Sequence, residues 1–382
     1  MKVLHVATRF LDGGSERDIA FAIRHERRRG CDVHLATGQC DRGALPSGIT
    51  HHSLPTLVRN PNPVADLRAM IAVRRLYARH RFDVVVSHQA KAGVVTRVAL
   101  ARAPVVRAHW IHMASFGPGY GPAASAMFAA LEALAGRRTD VFACVGFELR
   151  DRYVERGIGS AEQFVVVRTP IDLAPFLAAR TGRAKASARV RHDLGLAAGT
   201  KAILMVGSLE PRKRHPIAIR QLADALRRKD IALILAGSGP EEIRLRGLAH
   251  ELGVGDSVRI LGRVTNVPEL MGGSDVLLHC SRAEGVPRVL IEAFASGTPV
   301  VATATEGLRE IPGSPVVIVD RRGEGLEQAL HGAAEQSLVR VDELTSWAPD
   351  AVNVQLDELW RSIEDVHVSR TMLSNLDGTS RG

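Results

Sequence analysis

Short apolar, β-branched runs alternate along this chain with longer stretches whose apolar positions recur every three or four residues. The first pattern predicts strands and the second helices. In the first half, Val3–Ala7, Val33–Ala36, Val84–Ser87, Val105–Ala108 and Val141–Cys144 read as strands, and Phe164–Val167 closes the half. Glu16–Arg29, Val64–Arg79, Ala92–Ala101, Ala123–Gly136 and Glu148–Arg156 read as helices. That alternation implies a parallel sheet wound on both faces. Asp172–Gly199, rich in Ala, Arg and Gly, reads as a connector with a short basic helix at most. The pattern then restarts. Ala202–Val206, Ile231–Ala236, Val258–Leu261, Val276–His279, Val300–Ala302 and Val316–Val319 are expected strands. His215–Arg228, Glu241–Leu252 and Pro287–Ala295 are expected helices. Asp350–Val366 is an amphipathic helix that includes Leu356, Leu359, Trp360 and Ile363. The expected organisation is an α/β chain of two doubly wound, Rossmann-like domains, 1–172 and 200–348. A linker at 173–199 joins them, a helix at 349–368 follows, and 369–382 forms a loose tail.

Composition narrows the function. The chain has 382 residues, enough for two cores, and 46% of them are hydrophobic. Its net charge of +9 points to an anionic partner such as nucleotide phosphates or acidic lipids. Aromatic residues are only 4% and no basic run is interleaved with them, which argues against nucleic acid. Cys31, Cys40, Cys144 and Cys280 lack CxxC spacing, so neither a disulfide framework nor a zinc site is expected. The first residues are strand-like rather than a signal peptide, and no apolar stretch is long enough to span a bilayer. A cytoplasmic location is the resulting expectation, with the inner face of the membrane as a variant. For that variant, the basic helix bearing Arg17, Arg24, Arg27, Arg28 and Arg29 offers either a site for anionic lipid head groups or a solvated face.

Candidate chemistry concentrates in Ala283–Ser296, where Glu284 and Glu292 are separated by seven residues. Pro287 sits where a helix would begin, so Glu284 belongs to the preceding loop and Glu292 lies more than a turn inside. Gly285 allows close backbone approach, and the amides of residues 286 to 289 form an anion site at the helix start. Two carboxylates around such a site suit a nucleotide sugar; a surface helix flanked by glutamates is the plain alternative. Open α/β sheets bind ligands beyond the carboxyl ends of their strands. Two turns hold that position. Gly13 and Gly14 precede the first helix, and Arg212-Lys213-Arg214 follow the strand ending at Val206. The adjacent cations suit a diphosphate, although a solvated charge run reads the same way.

Glu284-x7-Glu292, the Gly237–Pro240 turn, Leu261-Gly-Arg-Val264 and Gly207…Lys213 occur in an order and spacing that resemble the retaining glycosyltransferases of family 4, which have the GT-B fold. Gly13-Gly14-Ser15-Glu16, Ser87–Gly93 and Pro104–His109 resemble that family's N-terminal segments. The resemblance spans residues 1 to about 366 and is strongest from 201 to 303. It implies two domains facing a cleft, with the C-terminal helix returning to the first. It also implies transfer of a sugar from a nucleoside-diphosphate sugar, UDP favoured over GDP, to a hydroxyl acceptor in polysaccharide or glycoconjugate biosynthesis, with a lipid-linked acceptor and peripheral membrane contact as one form.

Site roles follow from the same resemblance. Catalytic roles would fall to Glu284, Lys213 and His109. Glu284 would contact the donor sugar, with a covalent nucleophile as its minor alternative. Lys213 and Arg212 would hold the diphosphate, and His109 would face the sugar. Glu292 would bind the ribose, while Arg263 and Val264 would lie at the base. Gly13, Gly14, Gly285, Val286, Pro287, Arg288 and Val289 would complete the donor site. No metal or other cofactor is implied. The alternatives are a nucleotide-sugar epimerase, a natural-product glycosyltransferase on the same fold, and a non-catalytic nucleotide-sugar-binding protein. Three departures bear on donor and acceptor details: Ser208 where relatives carry Arg, Val145-Gly146 where a serine is common, and Thr169-Pro170 in place of Asn-Gly. The glycine-rich segment His112–Gly121 reads as a flexible loop that shapes an acceptor site or merely covers a surface.

Overall fold

A computed structural model describes every residue except 12, 118, 312–315, 334–338 and 380–382, and the backbone alone over 373–379. The chain divides into two compact units, Met1–Pro170 with Pro349–Gly382, and Ile171–Ala348. In chain order the first has strands β1 (Lys2–Phe10), β2 (Asp32–Cys40), β3 (Thr50–Ser53), β4 (Val84–His88), β5 (Val106–Ile111), β6 (Val141–Cys144) and β7 (Phe164–Val166). Its helices are α1 (Gly14–Arg28), α2 (Pro63–His80), α3 (Ala90–Ala99), α4 (Pro122–Gly136) and α5 (Phe147–Glu155). The second unit has β8 (Lys201–Val206), β9 (Ile231–Ala236), β10 (Val258–Gly262), β11 (Val276–His279), β12 (Val300–Thr303) and β13 (Val317–Val319). Its helices are α6 (Ala174–Thr181), α7 (Arg183–Asp193), α8 (His215–Gln221), α9 (Ala223–Arg228), α10 (Glu242–Glu251), α11 (Val267–Gly273), α12 (Arg288–Ala295) and α13 (Leu326–Gly332). Finally, α14 (Pro349–Thr379) belongs to the first unit.

Both sheets are parallel, in the orders β3-β2-β1-β4-β5-β6-β7 and β10-β9-β8-β11-β12-β13. Each order reverses direction once, between β1 and β4 and between β8 and β11. Loops leaving the two strands at such a point diverge and open a crevice. The strands are Val- and Leu-rich because helices cover both faces. Val3, Val84 and Val86 share a core with Leu356, Leu359, Trp360 and Ile363 of α14. Their neighbours Leu4, Val6 and Val85 instead join Ala69 and Val73 of α2 and Ala92 and Val95 of α3. The period-two alternation of a strand thus sorts one apolar run into two cores.

Several sequence expectations need correction. Residues 173–199 hold more than a short basic helix: two helices, α6 and α7, pack on α11, with Phe176, Ala186 and Val190 buried. This contact escapes a hydrophobicity reading because small residues make it. Ala179 and Ala186 lie where a Cβ on Gly272 or Gly273 would have to go. Nor does the last helix stop near 366. It runs to Thr379, and residues 380–382 of the expected tail lie outside the described residues. Arg370 supports the extension by hydrogen bonding to the Val105 carbonyl and to Asp140. The His112–Gly121 segment, apart from the undescribed Pro118, is anchored: Ser115 donates to Glu132 (3.1 Å) and Phe116 packs on Tyr153. The expected helix His215–Arg228 is two, α8 and α9, separated at Leu222.

Two buried histidines tie the second unit's stability to pH. Burial, reinforced by the Lys213 ammonium, lowers the pKa of His279 to about 3 and that of His215 to about 4. Below the ordinary value of 6.5 the unfolded chain binds protons that the folded chain refuses, so stability falls as pH falls. The expected loss from His279 alone is roughly 3 kcal/mol by pH 4. Thermal unfolding followed from pH 7 to pH 4 checks this, and replacing His279 with Gln flattens the slope.

Candidate functional site

The switch point of the second unit gathers charge. The loop after β8 carries Arg212 and Lys213, and the loop after β11 carries Glu284. Lys213 Nζ donates to Glu284 Oε1 at 2.6 Å, and Arg212 Nη1 reaches both carboxylate oxygens at 3.2 and 3.3 Å. Arg212 Nε also donates to Glu210 (3.0 Å), and the Arg282 amide donates to the Arg212 carbonyl (2.8 Å), which locks the two loops together. Burial works to raise the Glu284 pKa, but Lys213 and Arg212 outweigh it and bring it down to about 2. The carboxylate is therefore ionised throughout the working range.

Glycine makes this convergence possible. A Cβ at Gly237 (φ +155°) would collide with the Gly207 carbonyl, so the loops after β8 and β9 touch backbone to backbone. Gly307 (φ +77°) likewise lies against the Gly285 carbonyl. These positions hold the cationic loop and the Glu284 loop at the carboxyl edge of the sheet.

The helix that follows differs in detail from the sequence reading. α12 starts at Arg288, and Pro287 is its N-cap. Proline has no N–H, so the amides at this end are those of Val286, Arg288 and Val289. The side chains of Val286 and Val289 are buried, while Arg288 and Glu292 share the partly exposed face, 3.8 Å apart at i,i+4. Arg263 is exposed and Val264 half-buried, just past the end of β10.

Sequence reasoning missed a second set of groups. His279 Nε2 at the end of β11, Ser281 Oγ beyond it, Thr303 Oγ1 at the end of β12 and His215 Nδ1 are buried without a hydrogen-bond partner among the described residues. Buried polar atoms normally have partners, so such a set marks a place for ligand or water. Single Ser, Thr and His residues after strands carry no distinctive spacing. Only the strand order places them at the same carboxyl edge of the sheet as Lys213 and Glu284.

His109, Gly13 and Gly14 belong to the first unit. His109 lies on β5, 2% exposed, with its Nδ1 3.0 Å from both the carbonyl and the hydroxyl of Ser87. Burial and the nearby Arg97 hold its pKa well below the usual value, so it works as a neutral imidazole. Gly13 caps α1, and the Glu16 carboxylate folds back over it. Beside these lies a buried chain of polar side chains with no sequence signature. His5 contacts Glu26 (2.6 Å) and His88 (2.9 Å), His88 contacts His112 (3.2 Å), and His112 contacts Asp18 (3.3 Å). Asp18 and Glu26 are α1 residues, so the chain ties that helix to β1, β4 and the residue after β5.

A family model described as Glycosyltransferase Family 4 matches residues 12–175, and one described as Glycosyl transferases group 1 matches 187–330. The D-inositol 3-phosphate glycosyltransferase of Acidothermus cellulolyticus is 30% identical over 343 residues, 78% of this chain and 71% of that protein. The chain belongs to the family 4 glycosyltransferases. Its activity class is accordingly glycosyl transfer. An Escherichia coli relative, UDP-Gal:alpha-D-GlcNAc-diphosphoundecaprenol alpha-1,3-galactosyltransferase, is 24% identical over 271 residues, 69% of this chain and 68% of its own length. The crystal structure of Anabaena HepE in complex with UDP superimposes with a TM-score of 0.73 at 20% identity, covering 95% of this chain and 100% of that one. The shared fold is GT-B.

Proposed function

We propose that this glycosyltransferase moves a sugar from a nucleoside-diphosphate sugar to a hydroxyl acceptor with retention of the anomeric configuration. The convergence of Lys213 and Arg212 on Glu284 at the switch point of the second unit carries this reading. Two such cations suit a diphosphate. A bound diphosphate competes with Glu284 for both of them, which releases the carboxylate toward the hydroxyls of the donor sugar. Glu292 accepts hydrogen bonds from the ribose, and the Gly285–Val289 segment and the orphan hydroxyls of Ser281 and Thr303 complete the site. Arg263 and Val264 flank the base.

As the glycosidic bond opens through an oxocarbenium-like state, charge builds on the leaving diphosphate. Lys213, Arg212 and the start of α12 supply preorganised positive charge there. The acceptor hydroxyl bonds to the anomeric carbon on the face the diphosphate leaves, and its proton passes to a phosphate oxygen. No divalent metal is required, because protein cations take that role.

A UDP-sugar is the favoured donor, in keeping with the UDP-Gal of the E. coli relative's name and the UDP of the HepE complex. A lipid-linked acceptor at the inner face of a membrane is favoured by that relative's diphosphoundecaprenol substrate. Thermal-shift titration with UDP-, GDP- and ADP-sugars tests the pocket and the donor together. The largest shift is expected with a UDP-sugar. Replacing Glu292 with Ala weakens that binding about 10- to 100-fold, the cost of a charge-assisted hydrogen-bond pair. A wild-type chain that no nucleotide sugar stabilises refutes the assignment, and NMR of the product's anomeric proton decides retention.

A further inference from the structure

We propose that the outer faces of α2 and α4 in the first unit dock on an anionic lipid surface. The exposed side of a helix normally carries polar residues. On α4 it does not: Met127 is 49% exposed, Leu131 39% and Leu134 57%, with the exposed Ala130 between them. Their spacing of three and four residues puts them on one face. Glu132, the only charged residue of α4, points inward and is buried against Arg97. α2 also exposes apolar residues among its arginines: Val64, Leu67 and Ile71 are 61%, 60% and 41% exposed.

These two helices share one layer. α3 packs against both, and Arg59 before α2 lies close enough to Tyr120 before α4 to influence its hydroxyl. The apolar residues therefore form neighbouring outward patches rather than isolated exposures, which marks an interaction surface.

Charge selects the partner. Residues 58–138 hold twelve Lys and Arg against three Asp and Glu. Each of the three acids is engaged: Asp66 with Lys91 (2.6 Å), Asp83 with the Lys2 amide (2.7 Å) and Glu132 with Arg97 (2.7 Å). Exposed Arg68 and Arg75 on α2, and Arg137 and Arg138 just beyond α4, border the apolar side chains. Apolar side chains rimmed by arginine fit lipid, with the acyl boundary taking Leu and Met and the anionic head groups taking Arg. The contact is peripheral, since no helix among the described residues is long and apolar enough to cross a membrane. The basic face of α1, the other candidate, is largely spoken for. Arg27 donates to the Ser47 carbonyl, Arg28 to Asn353, and Arg29 to Asp357 and Glu364.

The biological use of this face rests on the reading that the acceptor is lipid-linked, but lipid binding itself is measured without acceptor. The full chain is floated with vesicles of phosphatidylcholine alone or mixed with phosphatidylglycerol, at low and high salt. The wild-type protein is expected to float with the mixed vesicles at low salt and much less with the neutral ones. Joint replacement Leu131→Glu and Leu134→Glu lowers partitioning more than about tenfold, while UDP-sugar thermal shifts stay unchanged and report a folded second unit. Circular dichroism melting of the same variant confirms that the first unit is folded. Joint replacement Arg137→Glu and Arg138→Glu lowers low-salt partitioning about tenfold or more. Three results overturn the proposal: a wild-type chain that ignores anionic vesicles, leucine variants that float like wild type, or a wild-type dimer in sedimentation that the leucine variants dissolve. Flotation without turnover of any lipid-linked acceptor leaves the face standing and refutes the acceptor reading instead.

Discussion

Replacing Lys213 with Ala is expected to lower kcat about 10²- to 10³-fold, the usual effect of removing one preorganised stabiliser of developing charge. The resting protein shows why the effect is large. Lys213 makes the shortest contact to Glu284, 2.6 Å, and its stem lies over Gly207, so its ammonium is fixed before any ligand arrives. Arg212 remains in the variant and keeps a hydrogen bond to Glu284, so the carboxylate does not lose its only partner. Donor affinity should therefore fall less than turnover. That division separates charge stabilisation at the leaving group from simple loss of a binding contact. The assay is initial-rate kinetics with a chelator present, which leaves protein cations as the source of positive charge. A variant within about tenfold of wild type, or a wild-type enzyme silenced by the chelator, contradicts the mechanism.

Replacing Glu132 with Ala is expected to cost about 3–5 kcal/mol of the first unit's stability. Arg97 and Glu132 pair at 2.7 Å with side chains 1% exposed. Arg97 also donates to the Gly93 carbonyl and to Thr139, so it is held in place and cannot swing to solvent when its partner goes. The variant leaves a guanidinium charge buried between α3 and α4, close to neutral His109. Ser115, which bridges Glu132 and Tyr153, loses its bond to Glu132 as well. Differential scanning calorimetry should show one melting component moving down while the component stabilised by UDP-sugar stays. A single unmoved transition would mean that the pair contributes little.

Much of this was legible in advance because strand and helix periods are local. The alternation of β-branched runs and amphipathic stretches located most of both sheets, and Gly207, Gly237 and Gly285 flagged the turns at their carboxyl ends. What stayed hidden depends on partners far along the chain. Ala179 and Ala186 look like linker residues until Gly272 and Gly273 are beside them. His5, His88 and His112 look like unrelated strand histidines until β1, β4 and the residue after β5 are adjacent. Thr303 and Ser281 have no motif at all.

The amino-acid order by itself determined the two-domain α/β architecture, the loop position of Glu284 and the cationic run at 212–214, since each follows from residue period, glycine placement and helix-start chemistry within a few residues. Only the tertiary structure decided that Lys213 and Arg212 close on Glu284, that Glu132 is buried on the inner side of α4 while Leu134 faces outward, and that α1 commits Arg28 and Arg29 to α14. Those outcomes turn on which strands lie side by side and which helix face meets the sheet. Such choices are set by burial summed over the whole chain, and no local window contains that sum.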